Sequence, residues 1–165
     1  MTMADPPRRV NFVDGLLLTA ADFAAEQEYH RRMRYLHNRL HGHGTVSGLE
    51  VVARRGRVRV GPGLAIDVLG REIVVTAPLS LPLEASGSAG RWVRDVVIAW
   101  DEAPEGPVPG ADGATQFSRW VEQPQLALVA RGRAAPEGLV LARLALGDRG
   151  SFTVDTSVRR PLGPA

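Results

Sequence analysis

The stretch that decides the fold runs from Phe12 to Val52, where one long basic helix leads into a strand. Residues 14–23 have the sequence DGLLLTAADF, in which Asp22 follows Thr19 by three positions. Threonine is a preferred N-cap residue, because its hydroxyl can accept a hydrogen bond from a first-turn N–H, and an acid three positions later is a shorter form of the capping box. The helix is therefore predicted to begin just after Thr19.

Glycines mark the end of the same helix. Residues 40–44 have the sequence LHGHG, and Gly42 or Gly44 can supply the left-handed residue that often follows a helix. We predict a helix from about Ala20 to His41. Acidic residues lie in its N-terminal half and basic residues in its C-terminal half, which is the order that the helix dipole favours.

Composition limits the classes of function. The chain has 165 residues, 44% of them hydrophobic, no cysteine and a net charge of +2, which is typical of one globular domain. All 20 basic residues are arginine, which excludes a lysine Schiff base and a P-loop. The arginines suit phosphate or carboxylate recognition, but a coding bias from lysine to arginine explains them more simply. No segment resembles a signal-peptide core or a membrane span, so we expect synthesis in the cytoplasm.

The chain divides into three parts by pattern. We predict an N-terminal arm over 1–11, a capped helix and glycine turn over 12–48, and a β-domain over 49–160. Within the β-domain, 102–115 is rich in proline and glycine and is expected to be a mobile loop. The segment 92–100 (WVRDVVIAW) is the strongest predicted strand, and its continuous apolar half favours a central position in a sheet.

The remaining predicted strands are short and separated by turn residues, which indicates antiparallel pairing. A helix followed by strands predicts an α+β fold: one long N-terminal α-helix and a mostly antiparallel β-domain, built as a small sandwich or barrel. The predicted strands outside 92–100 cover 49–54, 57–60, 64–67, 72–75, 79–83, 117–122, 125–131, 139–146 and 152–154.

One face of the helix is apolar. Its residues recur at steps of four and three, as on one side of an α-helix. The simplest interpretation is that this face packs on the protein's own sheet. The alternative is that the helix associates with copies of itself or with a partner, together with arginines of the 54–59 hairpin. The apolar face comprises Ala25, Tyr29, Met33, Leu36 and Leu40. The candidate interface comprises Tyr29, Arg32, Met33, Tyr35, Leu36, Arg39, Leu40, Arg55, Arg57 and Arg59.

No pattern for catalysis or for a cofactor stands out. His37 and His41 are four residues apart, a spacing that can bind zinc, but no acidic residue lies between them and no further ligand has convincing spacing. We therefore predict no metal, no cofactor, no catalytic residue and no small-molecule substrate. The arginines of the hairpin lack interleaved aromatic residues, which disfavours nucleic acid as a partner.

Most of the chain resembles a family of small proteins associated with contractile injection systems, which are phage-tail-like particles. The resemblance lies in residues 12–29 and 36–51, and it continues through 62–67, 70–73 and 141–144. It implies a non-enzymatic structural protein of the baseplate or tail-fibre attachment. It also implies several copies, expected to be a trimer, and other tail and baseplate proteins as partners in the assembled particle.

Two other functions stay open at this point. A carbohydrate- or surface-binding module would use Trp92, Trp100 and Trp120 for stacking, although packing in the core and sheets explains these residues more simply. An arginine-based nucleic-acid-binding protein would show affinity that falls steeply with salt.

Overall fold

A computed structural model describes residues 6–54, 56–83, 92–111, 113–147 and 151–163. Within these residues, one helix is followed by twelve strands, which confirms the predicted α+β class. The elements are α1 (Ala20–Leu40), β1 (Gly44–Gly48), β2 (Val51–Arg54), β3 (Arg57–Val60), β4 (Gly63–Ile66), β5 (Glu72–Val75), β6 (Leu79–Pro82), β7 (Val93–Ala99), β8 (Glu102–Pro109), β9 (Thr115–Glu122), β10 (Gln125–Ala130), β11 (Leu139–Leu146) and β12 (Phe152–Asp155).

The helix begins and ends as its sequence predicted. Thr19 is the N-cap, and the Asp22 carboxylate accepts hydrogen bonds from the Thr19 N–H at 2.8 Å and from the Thr19 hydroxyl at 2.7 Å. His41 is the C-cap, and Gly42 follows with a φ of 91°, in the left-handed region. These contacts satisfy backbone groups that a helix end leaves without partners.

The strands form three larger sheets and one hairpin. Their orders are β1-β4-β5, β2-β3-β6 and β10-β7-β11-β12, with β8 and β9 paired by themselves. Every pair of strands is antiparallel, and no sheet closes into a barrel in the part of the chain that the structure describes. β7 lies inside its sheet and β6 at the edge of its own, as their sequences predicted.

The core lies where the three larger sheets meet. Leu49, Val58 and Ile73 come from the N-terminal sheets and their connections, Ile98 and Leu141 come from the four-stranded sheet, and all five are fully buried. β3 alternates between exposed and buried residues, so one of its faces enters this core and the other remains at the surface. β7 is buried over four consecutive residues, as expected for a central strand with both faces covered.

A buried ion pair links β7 to β11. Arg143 Nε donates to Asp95 Oδ1 at 2.8 Å, and the Gly132 N–H donates to Asp95 Oδ2 at 3.1 Å. Burial alone would raise the pKa of Asp95, but the hydrogen bonds and charge of Arg143 and the Gly132 N–H outweigh it, so this pKa lies below its usual value. The carboxylate therefore stays charged inside the domain because it has partners.

The segment after β12 is tied to the start of the β-domain by one arginine. The Arg159 guanidinium donates to the carbonyls of Gly48 (3.1 Å), Leu141 (3.3 Å) and Leu49. Thr45 and Pro161 form an isolated parallel bridge beside it. Residues distant in sequence are thus joined by one side chain through backbone carbonyls.

The predicted loop over 102–115 is wrong for most of its length. β8 covers Glu102–Pro109 and pairs with β9, so only 110–114 connects the two strands. Proline is tolerated here because β8, among the described residues, has a neighbouring strand on one side only. The proline and glycine content misled the prediction, since it is typical both of loops and of edge strands.

Candidate assembly surface

The helix docks on the β-domain through polar groups. Asn38 Nδ2 donates to the Gly70 carbonyl at 2.8 Å and to Glu72 Oε1 at 2.9 Å. Arg34 Nε lies 3.1 Å from Glu72 Oε2 as an ion pair without hydrogen-bond alignment. Arg31 forms a longer ion pair, at 3.8 Å, with Glu102. The docked side of the helix is therefore its charged and amide side.

Gly70 allows this close approach. Its φ is 86°, and a Cβ built on it would lie 2.1 Å from the Tyr35 carbonyl oxygen, far inside van der Waals contact. Any larger residue would push the helix away from the turn between β4 and β5. Tyr35 also interacts with Arg31, since a hydrogen bond to its side chain raises the pKa of that guanidinium. Tyr35, predicted as an interface residue, lies on the docked side.

The apolar face of the helix points the other way. At about 100° per residue, the docked side chains lie roughly 180° around the helix from the apolar face. No helix residue is buried: Tyr29, Met33 and Leu36 are half-buried, Ala25 is exposed, and 79% of Leu40 is exposed. The described docking contacts come from the opposite side and no residue of this face is fully buried, so its packing on the protein's own sheet stays a prediction.

The N-terminal arm runs beside one end of the apolar face. The Val10 N–H donates to Glu26 Oε2 at 3.3 Å. Pro6, Pro7 and Arg8 border a shallow cleft of about 300 Å³ together with Ala25 and Tyr29. The arm partly covers the beginning of the face, while Leu40 at the other end stays open to solvent.

The segment before the helix exposes an unusual amount of apolar surface. A turn at Asp14-Gly15 is closed by a hydrogen bond of 3.1 Å from the Leu16 N–H to the Val13 carbonyl, with Gly15 at a φ of 83°. Around it, large side chains face solvent, with Leu17 84% exposed. Single exposed apolar residues are ordinary, but a run of them marks an interaction site. This apolar segment consists of Phe12, Val13, Leu16, Leu17 and Leu18 before the helix, together with Phe23 in the first turn of the helix.

The β8–β9 hairpin is a second exposed feature. Trp120 is 64% exposed and Phe117 is also exposed. Neither strand pairs with any of the larger sheets in the described ranges. A two-stranded hairpin by itself is only marginally stable in water. The sequence predicted most of β9 and named Trp120, but the proline and glycine content of β8 concealed the first strand of this hairpin.

The other tryptophans belong to the interior. Trp92 is buried and meets Phe152 edge to face, with ring centroids 5.1 Å apart. Trp100 packs against the core, with the Arg71 guanidinium 4.7 Å from its ring centroid. Packing explains these two residues, as the simpler interpretation predicted, and only Trp120 remains as an exposed stacking surface.

The remaining predicted interface residues divide between helix and sheet. On the helix, Arg32 is half-buried and Arg39 exposed; on β3, Arg57 and Arg59 are exposed. Arg55 lies outside the described residues. The structure therefore does not bring the two predicted groups into one contact, and their roles stay predictions.

The histidines lie close together but form no larger cluster. Nε2 of His37 and Nε2 of His41 are 3.3 Å apart, and both rings are exposed. His43 instead contacts Arg160 at 3.1 Å, and burial, aided by the Arg160 charge, lowers its pKa. Across the described ranges, no group of three or more His, Cys, Asp and Glu residues is placed to hold a metal. The helix in those ranges is not long and apolar enough to cross a membrane.

These features define a β-domain with an N-terminal helix docked by polar contacts and apolar surface left exposed. No protein-family model and no curated protein matches the chain by sequence. Solved structures do match its fold. One is a chain of the baseplate complex of the type VI secretion system, with a TM-score of 0.59 and 16% identity over 92% of this chain and 58% of that one.

Two further structures give the same result. A chain of the TssK-TssF-TssG baseplate subcomplex has a TM-score of 0.60 and 16% identity over 91% of this chain and 60% of that one. The crystal structure of TssK has a TM-score of 0.55 and 14% identity, over 91% of this chain and 41% of that one. The resemblance to phage-tail-like contractile systems is thus confirmed at the level of fold. The present chain spans about half the length of these proteins.

Proposed function

We propose that this protein is a non-enzymatic structural component of the baseplate of a phage-tail-like contractile injection particle. The observation that carries the proposal is the fold similarity to type VI secretion baseplate proteins over nine-tenths of the chain. The exposed apolar segment and the undocked apolar face of the helix support attachment to other proteins, since both lie outside the protein's own core. The protein is made in the cytoplasm and then incorporated.

The apolar segment and the apolar face of the helix are adjacent in the chain. Large exposed apolar areas of this kind are stabilised when a partner covers them. We assign them to contacts with other baseplate subunits, including copies of this chain, and we expect a trimer. An adaptor role between the baseplate and a fibre fits the same surfaces.

Co-purification tests the proposal. A tagged protein, expressed in its native host, should co-purify with sheath, tube and baseplate proteins. The double variant Leu17→Ser/Phe23→Ser should recover these proteins at a level at least about tenfold below that of the wild type, because it removes two exposed apolar side chains from the contact. Val74→Ser is the matched control, since Val74 is also exposed but lies on β5.

Three results would contradict the proposal. The first is a wild-type protein that never co-purifies with particle proteins. The second is equal recovery of the double variant and the control. The third is turnover of a substrate that disappears when one polar side chain is truncated. Light scattering on the purified protein separately tests the trimer.

A further inference from the structure

The exposed face of the β2-β3-β6 sheet contains a groove that is separate from the apolar segment. Its volume is about 890 Å³. Arg57 and Arg59 alternate with buried valines on β3, and Arg54 lies directly opposite Arg57 on β2. Residues opposite each other in a sheet share a face. The groove, here called the arginine groove, is lined by Val52, Arg54, Arg57, Arg59, Pro62 and Pro78.

Among the described residues, the three guanidinium groups have no acidic partner. No ion pair within the described residues includes Arg54, Arg57 or Arg59. The Arg57 Nε donates only to the Ser80 hydroxyl, at 2.9 Å. Like charges directly opposite in a sheet are destabilising, so the pair of Arg54 and Arg57 lowers the stability of the free protein. An anionic ligand would remove this repulsion.

Part of the groove lining is apolar. Val52 is exposed opposite Arg59, and Pro62 and Pro78 also line the groove. Glu50 is the one acidic residue among the lining residues. A ligand that uses all of these features has carboxylates for the arginines and aliphatic groups on the same side that reach Val52 and the prolines. It also avoids a negative charge beside Glu50.

We propose that the arginine groove binds an extended acidic segment of a partner protein. In an extended chain, every second side chain points the same way at a repeat of about 6.6–6.8 Å, which is also the distance between Arg57 and Arg59 along β3. Carboxylates at alternate positions therefore match the two arginines, with charge-assisted and often bidentate hydrogen bonds. The aliphatic parts of these acidic side chains, which point to the same face, contact Val52.

A nucleic acid fits these features less well. Proteins that bind single-stranded nucleic acids use aromatic side chains for base stacking, and no described residue that lines this groove is aromatic. Phosphates also make no use of the apolar lining residues Val52, Pro62 and Pro78. The net charge of +2 is small for a protein that binds a duplex.

Fluorescence anisotropy on the isolated full chain tests the inference. The probe is a fluorescein-labelled peptide Glu-Val-Asp-Leu-Glu-Pro-Asp, and its control has glutamine and asparagine in place of the acids. We expect saturable binding of the acidic peptide alone, weakened by salt because part of the attraction is Coulombic. Arg57→Ser/Arg59→Ser should weaken it about tenfold or more, as loss of charge-assisted hydrogen bonds implies.

Matched variants exclude loss of folding as the cause. Arg59→Gln alone should weaken binding while leaving the thermal midpoint unchanged, since the Arg59 side chain is exposed. Arg133→Ala, which removes an exposed arginine in the turn after β10 that does not line the groove, should bind as the wild type does. Equal binding by the wild type and the double variant would overturn the inference, as would no binding at all.

A third arm uses a labelled single-stranded oligonucleotide. Tighter binding of the oligonucleotide than of the peptide, lost in the same double variant, would overturn the inference in favour of nucleic acid. The isolated chain is sufficient for all arms. Failure here therefore leaves the baseplate proposal standing, and failure of co-purification leaves this inference standing.

Discussion

The four-stranded sheet and the N-terminal helical region use apolar residues in opposite ways. In the sheet, Ile98 and Leu141 are fully buried by the protein's own strands. In the helical region, no helix residue is buried and Leu17 is 84% exposed. One region has a complete interior within the chain, and the other leaves its apolar side chains exposed or only half-buried. The comparison separates residues that fold the protein from residues that attach it to others.

The largest expected effect is on the core. Leu141→Ala should lower the free energy of unfolding by about 2–5 kcal/mol, because it removes packed methyl groups and leaves a cavity. Leu17→Ala should change it by no more than about 0.5 kcal/mol, as for most surface substitutions. Urea denaturation of both variants measures the difference. Similar losses of unfolding free energy in Leu141→Ala and Leu17→Ala would contradict the distinction between the buried sheet and the exposed helical region.

The next effect concerns the buried ion pair and has a defined pH dependence. The pKa of Asp95 is lowered in the folded protein, so its charge contributes stability above the unfolded pKa of about 3.9, and this contribution is lost as pH falls through the folded value. In Arg143→Met, the arginine charge and hydrogen bonds no longer compensate for the cost of burying the charged Asp95 carboxylate. The difference in thermal midpoint between the wild type and this variant should be greatest near pH 7. It should become smaller in acid, where Asp95 is protonated in both proteins. A deficit independent of pH would contradict the assignment.

A smaller effect is expected where the helix docks. Gly70→Ala should lower stability by about 1–3 kcal/mol, since it combines backbone strain with a clash against the Tyr35 carbonyl. Gly113→Ala is the control, because Gly113 also has a positive φ, of 79°, but nothing lies near its added Cβ. Hydrogen exchange should show faster exchange in the helix of the first variant only. Identical exchange in both would exclude docking at Gly70.

The smallest expected effect is at the helix cap. The Thr19 hydroxyl lowers the pKa of Asp22, so the cap is strongest above pH 4 and weakens as Asp22 is protonated. Thr19→Ala should increase exchange of the first-turn amides without changing the core. Faster exchange in the core strands as well would place the cap in the main folding unit and weaken the comparison.

Local signals in the sequence predicted much of this fold. Thr19, Asp22 and Gly42 mark the helix ends because capping depends on nearby residues alone. Alternation identified β3, and the continuous apolar run identified β7 as central. These are properties of one element and its immediate neighbours, which periodicity captures well.

The sequence could not predict the contacts between elements. The apolar face of the helix has the spacing of a core-packing helix, and only the contacts of Asn38 and Gly70 reveal that the helix docks by its other side. Likewise, β8 exists because β9 pairs with it, against its own proline content. Arg159, which joins three carbonyls distant in sequence, carried no local signal.

Hydrogen exchange of this protein, free and within the isolated particle, tests the central claim most directly. Our account predicts that amides over 12–40 gain protection in the particle, because partner subunits cover the apolar segment and the apolar face of the helix, while those of β7 and β11 exchange alike in both states. Unchanged exchange over 12–40, or absence of the protein from the particle, would contradict it.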